Sequence, residues 1–268
     1  MWETLIIQPF INVLLVIYQY LGQNFGIAII LFTIFIRLAT FPLTRKQMQS
    51  SKAMQEMNSD PDWIKVQEKY KDDREKLAQE QMKFYQEKGI SPFASCLPTL
   101  IQFPLILGLY QSVIRTMAQT PMQMFELTKL VYDGDFWFST DLLPLNSNFL
   151  WMNLGQPDLL QLDWLPFAIP IMAIVVALTS YVQSRLLTPP AAQSGNGQPD
   201  QTAMMSQTMS IYMPLFMAYL AYTLASGLAL YFLVGNLIGI FQYTIMGNAH
   251  WDNVMFWKKP APPAKKKS

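Results

Sequence analysis

The sequence predicts an all-α membrane protein with five transmembrane helices, a cytoplasmic helical hairpin and an N-terminal interfacial helix. Of the 268 residues, 51% are hydrophobic and 14% are charged, and the apolar residues are gathered into runs of membrane-spanning length. Charge is also segregated, because Lys and Arg concentrate in one loop and in the C-terminal tail, while another loop is acidic. The single cysteine excludes an internal disulfide.

The N-terminal segment, residues 1–24, contains an apolar run from Leu5 to Leu21 that polar residues and Pro9 interrupt. This pattern is typical of a short span or of an amphipathic helix lying in the membrane interface. The five-span topology derived below favours the interfacial helix. The segment has no basic stretch and no small-residue cleavage site, so it is not expected to be a signal peptide.

The first span, residues 25–43, carries one charge, Arg37. A charge at that depth costs at least about 2.5 kcal/mol on insertion scales. Thr33 and Thr40 lie four residues before it and three after it, on the same helical face. One interpretation is that Arg37 extends its side chain to the near interface. The other is that it faces a hydrated cavity and binds a negatively charged group.

The polar segment 44–92 is predicted to form a cytoplasmic hairpin of two helices, residues 44–58 and 61–88. Apolar residues recur every seven positions in the second helix, from Trp63 to Phe84, as an antiparallel coiled-coil seam requires. The seam has a purely structural interpretation. The functional one adds that methionines make adaptable contacts with apolar partners; the candidates here are Met48, Met54, Met57 and Met82.

Four more spans are predicted, at residues 93–114, 164–187, 208–225 and 227–246. An acidic extracytoplasmic loop (115–163) and a cytoplasmic linker (188–207) connect them, and a basic tail (247–268) follows. Polar residues within these spans are candidates for a shared hydrated wall: Ser95, Thr99, Gln102, Gln183 and Asn236. The fourth span carries a methionine stripe, Met209, Met213 and Met217.

The distribution of basic residues predicts the orientation. The positive-inside rule assigns the basic hairpin loop and the tail to the cytoplasm and the acidic loop to the outside. With five spans the N-terminus is then outside and the C-terminus cytoplasmic. The tail lysines are predicted to contact ribosomal RNA or anionic lipid; they are Lys258, Lys259, Lys265, Lys266 and Lys267.

Three stretches of the chain resemble the YidC/Oxa/Alb family of membrane protein insertases. They are IRLATFPLTRKQMQSSKAM (36–54), GISPFASCLPTLIQFPLILGLY (89–110) and SGLALYFLVGNLIGIFQ (226–242). The resemblance covers essentially residues 20–250. Ala225 and Gly235 depart from the Pro and Ser that the family often has there, which leaves the local packing of the last span less defined.

The resemblance implies a hydrated, lipid-open groove whose central arginine is Arg37 and whose walls include Gln102, Gln183 and Asn236. The implied substrates are nascent membrane proteins with short acidic extracytoplasmic segments, inserted alone or beside a Sec translocon. The implied location is a bacterial plasma membrane, with a thylakoid membrane as the alternative.

Two other function classes, a transporter or channel and an enzyme, are alternatives to membrane protein insertion. A small-solute or anion transporter or channel would use Arg37 as its anion site, but no internal repeat is visible. An enzyme is not predicted, because no nucleophile–base pair is visible near Cys96 or His250. No phosphate-binding Gly-Lys-Ser/Thr loop, metal site or cofactor is predicted.

Overall fold

The computed structural model describes residues 1–58, 60–70, 73–89, 97–118, 120–132, 143–160, 168–187 and 201–246. Helices dominate these residues, which confirms the predicted helical fold, and the number of membrane spans stays a prediction. A π-helical turn, Glu3–Ile7, leads into the first helix. The helices are α1 (Gln8–Tyr20), α2 (Phe25–Ala39), α3 (Phe41–Asn58), α4 (Pro61–Lys69), α5 (Arg74–Glu87), α6 (Leu97–Thr116), α7 (Pro121–Thr128), α8 (Ile171–Leu187), α9 (Gln201–Thr223) and α10 (Ser226–Ile245), and a two-stranded antiparallel hairpin joins β1 (Asn148–Phe149) to β2 (Met152–Asn153).

The helices differ in whether they are long enough to cross a membrane. By length and composition two of the described helices qualify, Glu3–Tyr20 and Ser226–Ile245. Three shorter apolar helices, Phe25–Ala39, Ile171–Leu186 and Ile211–Thr223, fall below that length. Large apolar side chains are nevertheless exposed along α2, α8, α9 and α10, as a surface facing lipid requires; they include Phe35, Leu38, Leu178, Leu215, Tyr219, Leu237 and Phe241.

The N-terminal helix packs against α2 and α6. Near its start, Glu3 forms an ion pair with Arg115 at the end of α6 (2.6 Å). The Phe10 ring lies 5.1 Å from that of Phe32 in the middle of α2. Near its end, the Tyr18 ring lies 6.2 Å from that of Phe25, the first residue of α2. The interfacial position of this helix stays a prediction, since its length and composition also suit a span.

The first predicted span is shorter as a helix than the sequence suggested. Asn24 begins α2 by accepting a hydrogen bond from the Ile27 N–H (3.2 Å). The helix ends at Ala39, four residues before the predicted end at Leu43. Pro42 is the physical reason, because it has no N–H to donate to the Leu38 carbonyl.

The segment predicted as a helical hairpin has different helix boundaries from those expected. The predicted helix 61–88 is two helices, α4 and α5, because Tyr70 ends the first and Asp73 caps the second by accepting from the Lys76 N–H (3.1 Å). The two helices fold back on each other, so that the rings of Trp63 and Phe84 lie 5.5 Å apart. Among the described side chains, the apolar seam therefore closes within the segment 61–88.

The central helix of the bundle is α10, which contacts α2, α6, α8 and α9. Eleven of its twenty residues are buried. It runs parallel to α2, since Gly227 meets Ile29 and, eight residues later, Gly235 meets Arg37. The other spans also differ slightly from prediction, because α8 begins after Pro170 and α9 begins at Gln201, within the predicted linker.

The segment 148–158 covers the end of the bundle at which α10 begins. The first N–H groups of α10 have no side-chain cap. They donate instead to backbone carbonyls, Ser226 N–H to Gln156 O (2.8 Å) and Gly227 N–H to Leu154 O (3.0 Å). The buried Asp158 carboxylate accepts from the Met172 N–H (2.8 Å) at the start of α8. This segment therefore fixes the ends of two helices.

Candidate functional site

The Arg37 side chain lies against the backbone of α10 at Gly235. A Cβ atom added to Gly235 would stand 2.7 Å from Arg37 Nη2, so the glycine leaves the room that the guanidinium occupies. Arg37 is half-buried. Among the described residues, no side chain forms an ion pair or accepts a hydrogen bond from its guanidinium. The spans predicted from the sequence contain no Asp or Glu, so the charge has no counter-ion on those segments.

Two further polar side chains meet α10 from α8. Gln183 lies against Gly239 so closely that a Cβ there would overlap its amide. Asn236 donates from Nδ2 to Ser180 Oγ (2.7 Å) and to Thr179 Oγ1 (3.1 Å). The predicted glutamine and asparagine are therefore brought together between α8 and α10.

A third helix contributes Gln102. Its Nε2 donates to the hydroxyl of Tyr231 on α10 (2.6 Å). Arg37 is close enough to interact electrostatically with both Tyr231 and Tyr243. The stretch of α10 from Tyr231 to Tyr243 is thus the place where polar groups from α2, α6 and α8 converge.

The two predicted threonines of the first span donate their hydroxyls to carbonyls of α2. Thr33 is fully buried, and its hydroxyl donates to the Ile29 carbonyl of its own helix (2.6 Å). Thr40 likewise donates to the Ile36 carbonyl (2.8 Å). Hydroxyls in helices often satisfy themselves in this way. Ser95 lies outside the described residues, and the side chain of Thr99 is not among those described.

The methionines of the predicted capture surface lie in different environments. Met48 is buried and Met82 is 47% exposed. Met213 and Met217 are half-buried, and Met217 packs on the main hydrophobic core. The side chains of Met54, Met57 and Met209 are not among those described. All five tail lysines (Lys258, Lys259, Lys265, Lys266 and Lys267) lie outside the described residues.

Sequence reasoning missed part of this site. Gly235 and Gly239 have the spacing that lets helices approach closely, and in the structure they receive the Arg37 and Gln183 side chains. Tyr243 and the hydroxyls of Thr179 and Ser180 were not identified. A usable signal was present, because residues 231, 235 and 239 share one helical face.

Comparison with known proteins gives consistent matches over nearly the whole chain. Residues 16–252 match the family model described as 60Kd inner membrane protein. The chain is 35% identical to membrane protein insertase YidC 2 of Listeria innocua over 251 residues, which are 92% of this chain and 72% of that protein. It is 34% identical to membrane protein insertase YidC 2 of Bacillus anthracis, over 92% of this chain and 81% of that protein.

A third relative is membrane protein insertase MisCA of Bacillus subtilis, 33% identical over 90% of this chain and 77% of the relative. Among solved structures, an active YidC insertase with its first transmembrane domain resolved matches with a TM-score of 0.46 and 25% identity, over 84% of this chain and 42% of that one. The family model and the sequence relatives identify the chain as a member of the 60Kd inner membrane protein family.

Proposed function

We propose that this chain is a membrane protein insertase that inserts and helps to fold integral membrane proteins through a hydrated groove centred on Arg37. The family is not an enzyme family, and the relatives carry the name of insertases. The observation that carries the proposal is the half-buried guanidinium at Gly235, which lacks a described acceptor and lies on the same stretch of α10 as three amide side chains.

The electrostatic argument concerns the depth of this charge. Attraction between opposite charges about 4 Å apart is roughly 4 kcal/mol at an effective dielectric of 20, against about 1 kcal/mol in water. An acidic segment of a substrate would therefore be attracted to Arg37 in the groove more strongly than to an arginine exposed to bulk water. The amide side chains of Gln102, Gln183 and Asn236 would offer hydrogen bonds to the segment and keep water near it. The stretch of hydrocarbon that the segment must cross is thereby shortened.

The driving force follows from the second part of the substrate. An apolar segment about 20 residues long gains free energy on partitioning into lipid. Arg37 would lower the barrier for the acidic part, while the apolar part supplies the net free energy. The exposed apolar side chains of α9 and α10, such as Leu215 and Phe241, fit a surface along which that segment meets lipid.

We further propose the topology that the charge distribution predicts. The N-terminus lies outside, and the hairpin α4–α5 and the C-terminal tail lie in the cytoplasm of a bacterium. The hairpin would meet substrate first through Met82, and the tail would contact the ribosome or anionic lipid. Cooperation with a Sec translocon is part of this proposal.

The test is insertion of a small membrane protein with an acidic N-terminal tail into proteoliposomes. We expect Arg37→Ala to reduce insertion at least tenfold and Arg37→Lys to retain most of it, because the charge is preserved. A matched substrate with a neutral tail should be inserted equally by both variants. Arg185→Ala is the control, since Arg185 Nε already donates to Tyr181 Oη (2.9 Å).

Equal activity of all variants on the acidic substrate would refute the charge-based groove. Anion flux through wild-type proteoliposomes without any insertion would instead favour a channel with Arg37 as its anion site.

A further inference from the structure

A surface cavity of about 380 Å³, wide open on one side, lies between the first half of α3 and the end of α10. It is distinct from the Arg37 site. Arg37 lies beside Gly235, and Met246 comes eleven residues later, which is about 16 Å along a helix. The lining residues are Phe41, Arg45, Gln49, Lys52 and Met246.

One face of α3 supplies all but one of these residues. Phe41, Arg45, Gln49 and Lys52 follow the i, i+4, i+8, i+11 spacing that aligns side chains along a helix. Two of the four are cationic and one is an amide, so every polar group on this wall can donate a hydrogen bond. Among the described residues, no carboxylate forms an ion pair with Arg45 or Lys52.

The cavity lies at the level where a membrane would end. The twenty residues of α10 span about 30 Å, the thickness of a hydrocarbon core. Met246 directly follows that helix, and Phe41 follows the end of α2. The apolar part of the lining would therefore face the acyl region, and the cationic part would face the headgroups.

We propose that this cavity binds the phosphate-bearing headgroup of an anionic phospholipid. An arginine can hold a phosphodiester through two parallel hydrogen bonds, and a lysine adds a point charge. Phe41 and Met246 supply the apolar contact that a glycerol backbone and the first acyl carbons require. The assignment to the cytoplasmic leaflet rests on the proposed topology, whereas binding itself does not.

The segment that follows the cavity in the chain is a poor occupant by charge. Residues 247–268 contain five lysines and a single acid, Asp252. A basic peptide would be repelled by the positive charges of Arg45 and Lys52, whereas a phosphate group would be attracted by them.

Native mass spectrometry of the full chain in detergent would test this proposal. Phosphatidylglycerol is titrated against phosphatidylcholine. We expect wild type to bind phosphatidylglycerol preferentially. The double variant Arg45→Gln/Lys52→Gln should bind it about tenfold to thirtyfold more weakly, as two lost charges near a headgroup imply. The swap Arg45→Lys/Lys52→Arg should retain binding, which separates loss of charge from loss of fold.

The control is Lys46→Gln/Lys69→Gln, which removes two exposed cations that do not line the cavity. Three outcomes would overturn the proposal. The first is a control variant that loses as much phosphatidylglycerol binding as the double variant does. The second is equal binding of the two lipids by wild type. The third is displacement of the lipid by millimolar inorganic phosphate, which would mark a site for the free anion. Insertion of the acidic-tailed substrate is measured in parallel, so that failure of lipid binding is distinguishable from failure of the proposed function.

Discussion

Two glycines of α10 make a paired prediction that separates stability from function. A Cβ on Gly227 would stand 3.0 Å from the Leu154 carbonyl oxygen and 3.0 Å from Val113 Cγ1. The first is backbone, already accepting from the Gly227 N–H (3.0 Å), so it cannot turn away as a flexible side chain would. Overpacking of this kind costs about 1–3 kcal/mol, offset by at most about 1 kcal/mol of helix propensity.

We therefore expect Gly227→Ala to destabilise the protein by about 1–2 kcal/mol. For a chain of this size that corresponds to a fall in the unfolding midpoint of about 2–8 °C. The measurement is thermal unfolding in detergent, followed by tryptophan fluorescence. Insertion activity at a temperature well below the midpoint should stay close to wild type, since Gly227 lies in the first turn of α10, eight residues before Gly235.

Gly235→Ala is the matched partner, because it makes the same chemical change in the same helix. The three heavy atoms nearest to its Cβ would all belong to Arg37, with Nη2 at 2.7 Å, and the guanidinium is the end of a flexible side chain. We expect an unchanged or slightly higher midpoint, together with weaker insertion of an acidic-tailed substrate. A Gly227→Ala midpoint at or above wild type, or an equal fall in both variants, would refute the packing argument.

Two further predictions concern polar side chains that hold separate segments together. Asn12→Leu removes, from within α1, the donor to Leu130 O (2.8 Å) and the acceptor of the Tyr132 N–H (2.8 Å). Loss of these two hydrogen bonds should cost about 1–3 kcal/mol, and an unchanged unfolding midpoint would contradict the prediction. In the hairpin, the Asp62 N–H and the Lys88 ammonium (3.0 Å) hold the pKa of Asp60 below its ordinary value of 3.8. A lowered folded pKa means that this stabilisation is present above about pH 4 and is lost as the pH falls through the folded value. Hydrogen exchange of α4, corrected for intrinsic rates, should rise at low pH in wild type, and Asp60→Asn should show the faster exchange already at pH 7; an Asp60→Asn variant that behaves like wild type would contradict the assignment.

Helix positions followed from the sequence more closely than helix contacts did. The last span was predicted at 227–246 and is observed as a helix at Ser226–Ile245, because its apolar run is bounded by Ser226-Gly227. The turn between α4 and α5 was missed for a physical reason. A seven-residue repeat from Trp63 to Phe84 is equally compatible with a seam against another helix and with a seam that folds on itself.

In the candidate site, too, the residues were more predictable than the contacts between them. Arg37, Gln183 and Asn236 were identifiable, because polar side chains in apolar runs are costly and few. Their partners were not, because sequence spacing fixes the face of each helix but not how far neighbouring helices are rotated toward one another. Thr33 illustrates the limit, since it shares a face with Arg37 and is nevertheless buried, with its hydroxyl bonded to its own helix.

The central position of α10 has a consequence for how the molecule is made. Ribosomes synthesise this helix after all the others that pack on it, so Arg37, Gln102 and Gln183 emerge before the residues that will receive them. The Leu154 carbonyl likewise has no access to its donor, the Gly227 N–H, until α10 has been synthesised. Until translation reaches α10, the other helices lack the helix that α2, α6, α8 and α9 all contact. Its own biogenesis therefore leaves polar side chains temporarily unaccommodated in a membrane, which is the condition that its proposed activity relieves in others.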